Sequence, residues 1–153
     1  GIKHLIHGLV YRNGLHTTNM LEGWAVIDSE GVGRPDIQIQ FLPVLDNVDN
    51  TPGEKAAAEE HGLTVKVGHL RPKSRGTIRL RSKNPADMVS IDPHFLEDAE
   101  DVEGQIRAVQ CGLKILRSPA LNQIITDNLE LNNVAIDDRE GIEKFVRKNI
   151  KTV

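Results

Sequence analysis

Aromatic residues are scarce: one Trp, one Tyr and three Phe in a chain of 153 residues. A core must therefore rest on Leu, Ile, Val and Ala. Cysteine is scarcer still. Cys111 stands alone, so no internal disulfide can form, which fits a reducing compartment. No apolar run approaches the roughly 20 residues that a membrane-spanning helix needs, and no signal peptide is legible. Positive charge is not in excess. Nineteen Lys and Arg against 22 Asp and Glu leave a net charge of -3, which argues against a general nucleic-acid binder. Three motifs are also missing: a Gly-x-Gly-x-x-Gly dinucleotide cradle after a strand, a nucleophile elbow and a phosphate loop. Carboxylates are plentiful but scattered. The residues read alone therefore present no catalytic set.

What is present is a readable order of elements. At this length one domain is expected, able to bury roughly 70% of its unfolded surface. Ile2, Leu5, Ile6, Leu9 and Val10 suit one face of a helix that Asn13-Gly14 stops. His4 and His7 lie three apart, but no Cys or acid adjoins them in sequence, and they read as surface residues rather than metal ligands. His16 to Asn19 reads as a polar loop and Glu22 to Asp28 as a strand. Ile37, Ile39 and Phe41 alternate with Gln38 and Gln40, giving a strand with one apolar and one wet face. Asp46 to Gly62 reads as a loop with a short helix at Glu54 to Glu60. Its acids lack the twelve-residue calcium pattern and its closing Glu. No metal site is expected anywhere.

Leu63, Val65 and Val67 alternate as the next strand, and Ile78 and Leu80 alternate as another. The Pro72/Gly76 connection between them predicts an antiparallel hairpin. Ser90 to Pro93 reads as a short helical turn. Asp98 then caps the strongest helix, in which Val102, Ile106, Val109, Leu113 and Leu116 form a stripe expected to cover the sheet. Cys111 in that helix reads as packing. Ser118-Pro119 starts a shorter helix, and Asp137 or Asp138 caps a last one carrying Ile142, Phe145, Val146 and Ile150. Strands grouped before helices predict an α+β fold, an antiparallel sheet with helices mainly on one side.

Several short runs carry a resemblance. They are Arg34-Pro35-Asp36-Ile37-Gln38, Phe41-Leu42-Pro43, His61-Gly62, Val67-Gly68 and Arg71-Pro72-Lys73-Ser74-Arg75-Gly76. Asn84-Pro85, Ile91-Asp92-Pro93 and Ser118-Pro119-Ala120-Leu121 follow. In this order and spacing the chain resembles the glucose-methanol-choline (GMC) FAD-dependent alcohol oxidoreductases, and most closely their choline dehydrogenase branch. The resemblance spans almost the whole chain.

The resemblance implies that residues 1–153 are a substrate-binding domain excised from a longer protein. The implied parent binds FAD in a separate domain that is absent here, so no cofactor-binding residue is expected. Similar enzymes use a base in a His-Pro-x-Gly-Thr motif, which follows a segment like Phe145 to Val153, so no catalytic residue is expected either. The fragment alone is expected to be inactive. Its implied partners are a small alcohol and the FAD-binding domain, and a homo-oligomer stays open. The implied location is cytoplasmic, or peripheral to a membrane in the parent. One first-contact residue remains. Thr18-Asn19-Met20-Leu21-Glu22 resembles the stretch where choline-oxidising relatives set a Glu against the substrate's quaternary ammonium. That maps onto Glu22, and Trp24 adds an aromatic face for a cation. Relatives often carry a small residue and then Phe where this chain has Gly23-Trp24. His69 reads as an ordinary strand residue.

Two other readings compete. Arg71, Lys73, Arg75, Arg79, Arg81 and Lys83 put six cations into thirteen residues, a basic strand face for a non-catalytic binding module. The negative balance of the chain and the lack of stacking aromatics in that stretch oppose it. An uncovered sheet edge would instead serve a dimerisation module.

Overall fold

The structure is a computed structural model that describes residues 2–12, 21–45, 62–126, 131 and 133–151, with the side chains of 2–5 and 7 excepted. The His16 to Asn19 loop, the residues from Asp46 to His61 with their expected helix, and the side chains of His4 and His7 lie outside the described residues.

The order is α1 (Ile2–Tyr11), β1 (Gly23–Ile27), β2 (Ile37–Leu42), β3 (Thr64–His69), β4 (Thr77–Arg79) and β5 (Ser90–Asp92). Helices α2 (Ala99–Leu116), α3 (Pro119–Asn122) and α4 (Arg139–Asn149) follow. β1, β2 and β3 form an antiparallel sheet in that order, and β4 with β5 forms a separate two-stranded ribbon. This is the α+β architecture expected from the sequence.

Strand β2 is the middle of the sheet and sets its register. Ile37 and Ile39 are 0% and 4% exposed, and a one-residue slip would turn both into water. They pack with Ala108 of α2, and Ile27, Val65, Val67 and Ile115 close around them. Gln38 and Gln40 are thereby turned to the opposite face.

Helix α2 meets the sheet through small side chains. Gly104, Ala108 and Gly112, spaced four apart, are all buried and share one side of the helix. A Cβ on Gly112 would stand 2.9 Å from Val67 Cγ1, and one on Gly104 would stand 2.8 Å from the ring of His69. Helix and sheet backbones therefore approach more closely than larger side chains permit. The stripe expected to cover the sheet instead looks mainly the other way. Val102, Ile106, Val109 and Leu113 pack with Leu131, Ile142 and Val146, and only Val67 joins them from the sheet. α2 is thus the middle layer, with the sheet on one side and α4 on the other.

The predicted hairpin is corrected. β3 pairs with β2, not with the strand after Gly76. Residues 77–81 leave the sheet, and β4 pairs with β5. The expected helical turn at Ser90 is that strand β5. The cause is a long-range anchor. The Asp101 carboxylate, in the first turn of α2, accepts hydrogen bonds from Lys73 N at 2.7 Å and Ser74 N at 2.8 Å, and from the Ser74 hydroxyl. This holds the Pro72–Gly76 connection on the end of the helix. Gly76 then passes so close to β5 that a Cβ would stand 2.3 Å from the Asp92 carbonyl oxygen.

The caps follow the expected chemistry. Asp98 caps α2 by accepting from Glu100 N at 2.8 Å, and Asp138 caps α4 by accepting from Gly141 N at 2.9 Å. Ser118 precedes α3 with Pro119 at its first position. The apolar residues Ile6, Leu9 and Val10 of α1 are exposed.

Candidate functional site

The sheet has two unlike faces. Cross-strand neighbours point the same way, so the rows can be read from the register. Ile27, Ile37 and His69 form one row, and this face is turned to α2. Trp24, Gln40 and Lys66 form a row on the other face, and Val26, Gln38 and Gly68 form the next. Glu22 directly precedes β1, and its amide donates to the Phe41 carbonyl at 3.1 Å. The two-residue period of a strand gives Glu22 the Trp24 face.

β3 is one of the two outer strands of the sheet, and a cleft of about 430 Å³ runs along it. From the face turned away from α2 the cleft takes Gln38, Gln40 and Lys66; from between sheet and helix it takes His69, Asp101 and Gln105. Phe95 and Lys151 also border it. The Gln105 side chain closes part of the strand edge. Its carbonyl oxygen accepts from His69 N at 3.1 Å, and its amide nitrogen donates to the Val67 carbonyl at 3.2 Å. It thus pairs with the strand as a neighbouring peptide would.

Two buried carboxylates hold the frame around the cleft. Burial pushes the Asp101 carboxyl up, but the Ser74 hydroxyl and the Lys73 and Ser74 amides outweigh it and leave the group below its usual range. Asp36, which faces Arg107 near the middle of α2, follows the same logic. Burial raises it, and the hydroxyl and amide of Ser29, with the Arg107 guanidinium, bring it lower. Arg107 also pairs with Glu30 at 2.8 Å, so α2 is clamped to the turn between β1 and β2. The His69 ring lies over Gly104, and its buried Nδ1 has no hydrogen-bond partner among the described residues.

The residues marked in the sequence take these places. Glu22 is exposed at the start of β1, and Trp24 is 65% exposed on the sheet face, directly across from Gln40. Neither lines the cleft itself, whose sheet-face residues begin one strand further in. Gln38 and Gln40 were not marked. The signal for them was the alternation with Ile37 and Ile39, which reads as a wet strand face and does not show that the face borders a cleft. Three of the six clustered cations serve their own chain. Arg71 donates to the Arg34 and Pro35 carbonyls, Arg75 to those of Pro72 and Ser74, and Lys73 pairs with Glu100. Among the described residues no group of three or more His, Cys, Asp or Glu is arranged to hold a metal, and no helix is long and apolar enough to cross a membrane.

The chain is similar to known proteins throughout its length. It is 32% identical over 149 residues to an oxygen-dependent choline dehydrogenase of Brucella ovis, covering 96% of this chain and 26% of that protein. It is 36% identical over 122 residues to an alcohol dehydrogenase [acceptor] of Pseudomonas putida, covering 79% of this chain and 21% of that one. The chain thus spans about a quarter of the length of these curated relatives. Among solved structures, pyridoxine 4-oxidase from Mesorbium loti superposes with a TM-score of 0.69 at 19% identity, covering 87% of this chain and 26% of that one; it shares the fold. The GMC oxidoreductase family model matches residues 72–153, more than half of the sequence, and the chain belongs to the GMC oxidoreductase family.

Proposed function

We propose that this chain is the substrate-binding part of a longer FAD-dependent alcohol oxidoreductase, and that its sheet face receives a choline-like cationic alcohol. The observation that supports this best is the similarity to a choline dehydrogenase across 96% of the chain. Glu22 supplies negative charge and Trp24 an aromatic face. A quaternary ammonium has no hydrogen to donate, so only charge, aromatic surface and shape can hold it.

Neither of the two long helices after the sheet, nor the Gly31–Gly33 turn, suits the phosphates of the implied FAD. A dinucleotide needs free amides or a helix N-terminus for its phosphates. The two long helices after the sheet begin with carboxylates, Asp98 with Glu100 and Asp101 in α2, and Asp138 with Glu140 in α4. Two amides of the Gly31–Gly33 turn are engaged as well, since Val32 N and Gly33 N donate to Asp28 at 3.2 and 2.6 Å. The flavin site is therefore assigned to the FAD-binding domain of the longer protein, and no residue of this chain is given a part in the redox step. Titration of the 153-residue chain with FAD at micromolar concentration, followed by flavin fluorescence, is expected to show no stoichiometric binding. Saturable one-to-one binding would overturn the assignment.

The cation site is tested by Glu22→Gln in the longer protein, which keeps the shape and removes the charge. The kcat/KM for choline is expected to fall about tenfold, the factor that 1.4 kcal/mol represents, while 3,3-dimethylbutan-1-ol, its uncharged isostere, changes less than about twofold. Equal losses for both alcohols would make Glu22 structural. No change for either would remove it from the site.

A further inference from the structure

We propose that Gln38 and Gln40 form a hydroxyl-reading pair on the open face of the sheet, so that the substrate is an alcohol with at least one hydrogen-bonding oxygen besides the hydroxyl that is oxidised. This deepens the substrate reading above and rests on it.

Four observations carry the inference. The burial of Ile37 and Ile39 forces both Gln side chains to the face away from α2. Both border the cleft. Among the described residues neither carboxamide has a hydrogen-bond partner within the chain, although the Gln105 carboxamide on the other side of β3 has two. Finally, the residue across from Gln38 is Gly68, and a Cβ built there meets nothing among the described residues within 4 Å. Gln38 therefore borders open space, while Gln40 stands in a filled row between Trp24 and Lys66.

The chemistry follows from the geometry. Residues two apart on a strand lie about 6.6–6.8 Å apart, a distance that a small polyol bridges. Each carboxamide offers two donors and one acceptor, which suits a hydroxyl acting both ways. A ligand clad only in methyl groups would cover these amides without replacing their water and would leave them unsatisfied. The Trp24 end of the face favours the ammonium, and the space over Gly68 and Gln38 favours the additional oxygen.

The test uses the ¹⁵N-labelled longer protein and two probes that share an ammonium, choline and (2,3-dihydroxypropyl)trimethylammonium. The dihydroxy compound is expected to bind about tenfold more tightly, as one or two net hydrogen bonds allow, and to shift the side-chain amide signals of Gln38 and Gln40. Gln38→Leu with Gln40→Leu is expected to bring the ratio of the two affinities to about one. Gly68→Val, which fills the open space with a residue suited to strands, is expected to do the same without touching either amide. A ratio near one in the unchanged protein, or a preference that survives both sets of substitutions, would overturn the inference. Glu22→Gln separates it from the cation reading, because that change should weaken both probes equally and leave their ratio alone. If Glu22→Gln alters neither affinity, the cation site fails and the ratio still decides the role of the Gln pair.

Discussion

Leu113→Ala is expected to cost about 2–5 kcal/mol of folding stability, the range for deleting a large core side chain that its surroundings cannot replace. Leu113 is 1% exposed. It belongs to the cluster in which α2 meets Ile142 and Val146 of α4, with Leu131 from the connection between them. The expected cost lies in the upper half of that range because the site is hemmed in by regular structure. On one side the sheet is registered by Ile37 and Ile39, and on the other α4 is fixed by its Asp138 cap. Neither can slide in to fill the void. Equilibrium urea unfolding of the 153-residue chain measures the difference. A cost within about 0.5 kcal/mol, typical of surface changes, would show that α2 is not the middle layer.

The position of α2 also shows which features of the fold were legible. A strand at Ile37 to Phe41, a helix beginning after Asp98 and a cap before α4 each depend on neighbours within a few residues, and periodicity or capping chemistry exposes them directly. The hairpin failed for the opposite reason. Pro72 and Gly76 mark a turn but do not say where the chain goes afterwards. That was decided by Asp101, more than twenty residues further on, whose carboxylate takes the Lys73 and Ser74 amides. The facing of α2 was missed because its conspicuous stripe of large residues hid an inconspicuous one. Gly104, Ala108 and Gly112 are spaced as regularly as Val102, Ile106, Val109 and Leu113, yet only the latter register as hydrophobic. A helix between two layers needs both stripes, and small residues go where backbones come closest.

The site was legible in a different way. Nothing in spacing or composition singled out Glu22, which came from the match of residues to a family, or Trp24, which came from its nearness to Glu22 in the sequence. Gln38 and Gln40 were visible as one half of an alternation, but the sequence does not reveal that Gly68 lies across from Gln38. That placement comes from the register of β2 with β3, which in turn depends on burial of Ile37 and Ile39.

Asp101→Ala is expected to cost about 3–5 kcal/mol. The Asp101 carboxylate is 3% exposed and takes three hydrogen bonds from Lys73 and Ser74. Its loss would strand two backbone amides in a half-buried place, at about 1–3 kcal/mol each. Asp101→Asn should recover only part of this. Its amide nitrogen would face a donor where the carboxylate offered an acceptor, so about 2–3 kcal/mol should still be lost. The same group predicts an acid response. Its carboxyl lies below its usual range in the folded chain, so the folded state binds the proton less readily than the unfolded one. The resulting stability is fully present above the unfolded value of about 3.9 and disappears as pH falls through the lower folded value. Asp36 adds a contribution of the same sign. The unchanged chain should therefore lose stability steeply below about pH 4, and Asp101→Asn should lose it less steeply because one of the two groups is gone. Thermal unfolding of both chains from neutral pH down to about pH 2 supplies the comparison. Parallel curves would mean that Asp101 does not hold the Lys73–Ser74 connection in solution, and the separation of β4 from the main sheet would then need another cause.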